Sequence, residues 1–174
     1  MKYLVKFFVV TFLVLICTHA SAEQKIVYLD MKFILNNSKA GKDAQDFLKN
    51  SLKKNEKLFS NKIEELKKKE RDLLAKKTAI SKEEYKKQTD ELRKKVTEFQ
   101  TQRGSFLEKI TKQRADARQK LLEEIDLILN DYIKKNKISL AIDKKYTLGG
   151  MIDLDVTNII IEKLNNKFPS LNLK

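Results

Sequence analysis

Few side chains in this sequence are of the kinds that make or break bonds. There is one Cys, Cys17, and one His, His19, both within the first 22 residues, and there is no Trp. Two carboxylate pairs, Glu64-Glu65 and Glu83-Glu84, could divide a proton between them if buried together. Both sit in Lys-rich, helix-forming sequence, where a solvated helix surface gives no buried, shifted pair. No Gly-x-x-x-x-Gly-Lys phosphate loop is present, so nucleotide use is not expected. The chain is therefore not read as an enzyme, and no cofactor or metal is expected. What is left is adhesion. Lys68, Lys69, Lys76, Lys77, Lys86 and Lys87 form pairs of cations, and Phe47, Phe59, Phe99 and Phe106 are spread along the same stretch. Ammonium groups draw in acidic polypeptide at long range. Their aliphatic stems, together with aromatic rings, cover apolar surface.

The elements that must position these groups begin after a leader. Lys2 and Lys6 precede an apolar run from Phe7 to Ile16, and Ala20-Ser21-Ala22 follows as a small-x-small cleavage pattern. This reads as a secretory signal peptide over residues 1–22. The run is shorter than the ~20 residues a membrane-spanning helix needs. Ile16 before Cys17 is too large for a lipoprotein signal. Cleavage removes the Cys and the His, and with them disulfides, thiol or imidazole nucleophiles and the usual zinc sites. The whole chain carries 37 Lys and Arg against 24 Asp and Glu; without Lys2 and Lys6 it carries 35 against 24, a net +11. Such a charge suits nucleic acid, anionic membrane surfaces or acidic polypeptides, and export sets nucleic acid aside.

The mature chain divides by composition into a helical middle, 39–136, and a body made from 23–38 and 137–174. The middle contains no Pro and only Gly41 and Gly104, and it carries 27 basic against 18 acidic residues, a net +9. Leu52, Phe59, Leu66, Leu73 and Ile80 recur every seven residues, as do Tyr85, Leu92, Phe99 and Phe106, which marks a coiled-coil seam. The companion positions are mostly polar: Glu56, Ile63, Glu70 and Lys77 in the first series, Thr89, Val96, Arg103 and Ile110 in the second. A half-filled seam predicts thin arms. Ser81 with Glu84 is a capping box that starts a new helix, so the tip is expected near 77–82 and the two helices fold back as an antiparallel hairpin. A single helix running through the capping box is the alternative. Seam spacing accounts for Phe59, Phe99 and Phe106, whereas Phe47 stands outside that register and is the stronger candidate for outward contact.

In the body, Ile26, Val27, Tyr28 and Leu29 read as a strand buried on both faces. Ile138, Leu140 and Ile142 alternate with smaller residues as a strand with one buried face. A further strand is expected from Tyr146 to Leu148, Gly149-Gly150 reads as a turn, and a last helix begins at Asp155 or Thr157 and ends before Pro169. A sheet of three or four strands with one helix buries too little to stand alone. Its edges invite another copy, so Ile26, Val27, Tyr28, Leu29, Ile138, Leu140 and Ile142 are expected at an oligomer interface. The fold class is mainly α with a small β body: a long antiparallel coiled-coil hairpin projecting from a barrel-like oligomerisation domain.

These residues resemble the OmpH/Skp family of periplasmic chaperones. The resemblance rests on Val27-Tyr28-Leu29-Asp30, Ile34-Leu35 and Ser38-Lys39-Ala40-Gly41-Lys42 at the start. It continues in Ser81-Lys82-Glu83-Glu84-Tyr85 at the hairpin tip and in Asp153-Leu154-Asp155-Val156-Thr157 before the last helix. It implies a periplasmic homotrimer with a small shared barrel and three hairpins around a cavity. It implies ATP-independent holding of unfolded outer-membrane proteins. The positive charge leaves anionic membrane lipid or lipopolysaccharide as a further partner, although no lipopolysaccharide-binding residues of the family are matched here by motif. An envelope spacer built on the coiled coil is the alternative; it would want a continuous seam and an anchor.

Overall fold

The computed structural model describes residues 24–173 and Tyr3; the leader expected over 1–22, Tyr3 aside, lies outside the described residues. Strand β1 (Lys25–Leu29) leads into a short helix α1 (Met31–Asn37), which Asp30 caps by accepting from the Phe33 N–H at 2.7 Å. Ser38 then ends α1 and starts α2 (Lys39–Ala75). Its backbone N–H donates to Ile34 while its hydroxyl accepts from Gly41, and the side chain is fully buried. Asn165 adds a second cap by accepting from the Lys39 N–H at 2.7 Å. With four orphan donors at any helix start, these bonds fix where the arm leaves the body.

Helix α2 breaks at residues 76–81, where successive turns replace the helical ladder. Ser81 caps α3 (Lys82–Lys135) by accepting from the Glu84 N–H at 3.1 Å, as the capping box predicts. The Glu84 carboxylate accepts from Gln88. The two helices pack along one another as an antiparallel hairpin, and the single-helix alternative is excluded. At 1.5 Å per residue, α2 is about 55 Å long and α3 about 80 Å. Ile80 falls in the turn, so the first heptad series ends within the helix at Leu73.

After α3 the chain passes through Lys137, whose φ of 52° places it in the left-handed region that commonly ends a helix. Strand β2 (Ile138–Asp143) follows and pairs in parallel with β1. Lys25 pairs with Ile138 but Ile26 pairs with Leu140, leaving Ser139 as a bulge. The bulge changes which residues share a face. Ile138, Val27 and Leu29 are buried in the chain's own core. Ile26 and Leu140, paired in the ladder, are 43% and 51% exposed. The run from Ile26 to Leu29 is thus covered by the chain's own core on one face only. The sheet has two strands, with one further bridge from Tyr28 to Asp155, and no closed barrel exists among the described residues. The strand expected at Tyr146–Leu148 is not formed. Asp143 caps a 3₁₀ turn (Lys144–Tyr146) instead, by accepting from the Lys145 N–H, and this turns the chain away from the ladder.

A second 3₁₀ turn (Ile152–Leu154) leads to α4 (Thr157–Lys167), which ends before Pro169. Thr157 ties this start to β1: its hydroxyl accepts from the Asp30 N–H at 2.8 Å and donates to Asp155. Burial works against ionising Asp155, but the Thr157 bonds and then Lys144 outweigh it and hold its pKa below the usual carboxylate value. Val156, Ile160 and Leu164 of this segment join Val27, Leu29, Ile34, Ala40, Ala44, Ala117, Leu121, Ile125 and Ile128 in one core. The body is therefore not separable from the hairpin, because the roots of both arms form part of its interior.

Two glycines test this division. A Cβ on Gly41 would meet the Leu35 carbonyl oxygen at 2.0 Å, against backbone. Gly41→Ala should cost about 1–3 kcal/mol by overpacking the junction of α1 and α2. A Cβ on Gly104 meets nothing within 4 Å. Gly104→Ala should stabilise α3 by up to about 1 kcal/mol through helix propensity. Urea unfolding followed by circular dichroism reads both, and opposite signs are expected.

Candidate functional site

The middle and outer parts of the hairpin carry all the residues singled out for adhesion except Phe47. Phe59 lies between two rings of α3, one heptad apart. Its centroid is 5.8 Å from Phe99 and 5.5 Å from Phe106, at interplanar angles of 74° and 73°. Edge-to-face packing of this kind adds about 0.5–1.5 kcal/mol per pair beyond burial. Phe99 is buried and the other two are half-buried. These three rings are thus occupied by one another, and they join the arms midway along their length. Phe47 lies near the base, half-buried beside buried Leu48. The structure does not bring it together with the three.

The lysines are placed differently. Lys68, Lys69, Lys76, Lys77, Lys86 and Lys87 are all exposed. Lys69 is bonded to Glu65, which also accepts from Lys62 at 2.7 Å. The other five form no ion pair among the described residues. The carboxylate pair Glu64-Glu65 is engaged by Lys67 and by Lys62 with Lys69 respectively. The two lysine hydrogen bonds hold the Glu65 pKa down from 4.5 to about 2.

The hairpin is two-faced beyond the aromatic stack. On one side of the Leu73–Leu92 seam, the hollow between the arms is lined by Lys69, Asp72, Lys76, Glu84, Lys87, Gln88, Glu91 and Lys95. On the other side a groove of about 880 Å³ is walled by Ile63, Leu74, Tyr85 and Val96 together with polar side chains such as Thr89, Thr97 and Gln100, with Leu66, Leu73 and Phe99 buried below. Leu74 is 63% exposed. Sequence reading named Ile63 and Val96 only as rare apolar companions in a half-filled seam, and it passed over Leu74. The signal was available: Ile63 and Val96 share one groove because the antiparallel register sets them on the same side.

At the other end of the molecule, the predicted interface residues divide between two environments. Val27, Leu29 and Ile138 lie in the chain's own core, while Ile26 and Leu140 face out. Tyr28 and Ile142, also paired in the ladder, are half-buried. The loop 147–152 crosses Tyr28, whose hydroxyl donates to the Met151 carbonyl at 3.1 Å. Lys144 sits 5.7 Å from the Tyr28 ring centroid. That loop presents Leu148, Met151 and Ile152 to solvent.

A strand, an out-and-back pair of long helices, a parallel partner strand and a short closing helix form the order in which a known family is built. The sequence pattern of the outer membrane protein (OmpH-like) family matches residues 25–164, nearly all of the described chain. The chain belongs to the OmpH-like family. Among solved structures, an OmpH-like protein of Caulobacter crescentus CB15 superposes with a TM-score of 0.81 at 18% identity, over 90% of this chain and 93% of that one. At that identity the likeness shows the OmpH-like fold and nothing finer. No curated protein matches the sequence.

Two outcomes are expected from this geometry. Phe59→Ala removes both ring contacts and should destabilise the hairpin by about 2 kcal/mol, less than a fully buried Phe because the site is half open. Hydrogen exchange should show the loss in the arms and not in the body. For Glu65, the folded-state pKa lies below the unfolded one, so its contribution is complete above pH 4.5 and disappears as pH falls toward about 2. Helicity at low salt should decline over that window, and Glu65→Gln should flatten the decline. Added salt should do the same, since the ion pairs are exposed.

Proposed function

We propose that this chain is an exported holdase that binds unfolded outer-membrane proteins against its basic helical arms and keeps them from aggregating without ATP. The observation that carries this reading is an OmpH-like hairpin with a net +9 charge over 39–136, whose roots join the packed core and whose outer part stands clear of it. A holdase must take many sequences weakly and release them without an energy source. Exposed lysines with free ammonium groups, apolar stems and a thinly packed seam suit that task. The Caulobacter relative in fold is itself provisionally described as an outer membrane chaperone. No helix among the described residues is long and apolar enough to cross a membrane.

The reading includes self-association, by resemblance as a trimer. A two-stranded parallel sheet with exposed Ile26 and Leu140, and a loop over Tyr28 that exposes Leu148, Met151 and Ile152, leaves apolar surface and an unpaired β2 edge on a small body. Pairing several copies covers both. Anionic lipid or lipopolysaccharide is a secondary partner for the same cations, and nucleic acid is not one.

The test is light scattering of an unfolded β-barrel membrane protein diluted from urea. The mature chain should suppress the rise near one oligomer per client, without nucleotide, and lose much of that effect at high salt. An envelope spacer would leave the scattering unchanged, and that result would refute the proposal. Sedimentation equilibrium checks the assembly: wild type should give a closed oligomer, and Ile26→Lys with Leu140→Lys should give monomers that keep their helicity.

A further inference from the structure

The two faces of the hairpin near its tip offer different chemistry to a bound chain. On one side the lining side chains beyond the shared leucine seam are polar, with Lys69, Lys76, Lys87 and Lys95 interspersed with carboxylates and a glutamine. On the other, the hollow has an apolar floor, and its edge carries Lys67, Arg93 and Arg103 against one carboxylate, Glu70. We propose that the apolar groove is a docking site for an extended segment of client polypeptide whose residues alternate apolar and acidic. The proposal rests on the holdase reading and names the kind of segment the arms select.

The pattern follows from strand geometry. An extended chain points successive side chains to opposite sides, so every second residue can enter a groove while those between face away from it. Apolar side chains would seat beside Leu74 and Val96, above buried Leu66 and Phe99. Carboxylates of the intervening residues would point out of the groove, where the long side chains of Lys67, Arg93 and Arg103 at its edge can turn outward to meet them. Lys67 reaches Glu64 at 3.3 Å and Arg93 reaches Asp90 at 3.6 Å. Both pairs are solvent-exposed and therefore exchange readily for a new carboxylate. Arg103 forms no ion pair among the described residues.

Charge also decides against the other occupant of such a groove, a second arm of the same chain. Residues 63–103 carry 13 Lys and Arg against 9 Asp and Glu, a net +4. Two such arms laid together bring like charges within a Debye length of about 10 Å and repel. An acidic segment is attracted to the same surface.

Fluorescence anisotropy on the full mature chain tests the assignment with three labelled 12-residue peptides. One alternates Leu or Tyr with Glu, one replaces each Glu by Lys, and one replaces each Leu or Tyr by Ser. The acidic-apolar peptide should bind at least about tenfold more tightly than either of the others. Leu74→Ser and, separately, Val96→Glu should each weaken it by about fivefold or more. Glu91→Gln on the polar face should change it by less than about twofold. Leu74 is the safer of the two positions, because its exposure means that truncation leaves the seam intact. Circular dichroism of each variant establishes that the arm is folded. Equal binding of the three peptides, no binding of the acidic-apolar one, or an unchanged affinity in folded Leu74→Ser would overturn the groove. Suppression of client aggregation by the same wild-type preparation is measured in parallel. Its failure refutes the holdase reading, whereas its success with an unchanged Leu74→Ser refutes the groove alone.

Discussion

Everything in this molecule depends on the chain coming back. The strand that opens the body and the strand that closes it lie on either side of nearly a hundred residues of helix, and they pair in parallel. Long-range bonds then lock the result: Lys39 to Asn165 across 126 residues, Asp30 to Thr157 across 127 and Tyr28 to Met151 across 123. Closing so long a loop is entropically expensive for a flexible chain, though the penalty grows only slowly with length. Here the loop is not flexible. Two stiff helices joined by a capped turn deliver the far end to the near one. A break that failed to turn at 76–81 would leave β1 without β2.

The consequence is a sharp contrast in packing between the two ends. At the base, both arms contribute buried residues to a common core with β1, β2, α1 and α4. Further out, the arms touch through a single line of residues, with the Phe59, Phe99 and Phe106 rings as its densest point. Beyond that stack, only Leu66, Leu73 and the neighbouring seam separate a polar face from an apolar one. Local stability should fall along the arm as contacts thin out. For the proposed holdase role such thinness is an advantage, because few groups must move to accommodate each client.

Much of this was legible in the sequence, for identifiable reasons. The seven-residue repeats fixed the seam because no other regular structure has that period. Ser38 and Ser81 announced helix starts because their hydroxyls satisfy donors that nothing else nearby can reach. The β body was harder. Its strands are short, and a run such as Ile26 to Leu29 looks alike whether one face is covered or two. Tyr146 to Leu148 has the residue types of a strand, but Asp143 ahead of it caps a tight turn, and that local bond prevails over a weak propensity. The groove was the least visible feature. Ile63, Leu74 and Val96 are far apart in the chain, and only the antiparallel register puts them together.

The single unpaired residue in the ladder, Ser139, has a bearing beyond the bend it introduces. It acts as a phase shift along β2, so that Ile138 belongs to the interior while Leu140, two positions later, belongs to the outside. In an unbroken strand those two would share a face, and any change to one would be felt by the other. With the shift in place, the stretch that holds the monomer together and the stretch turned outward are uncoupled. Substitutions at Leu140 can then reshape the outer surface without disturbing the interior. Changes that tighten the interior can likewise occur without redrawing the outer surface.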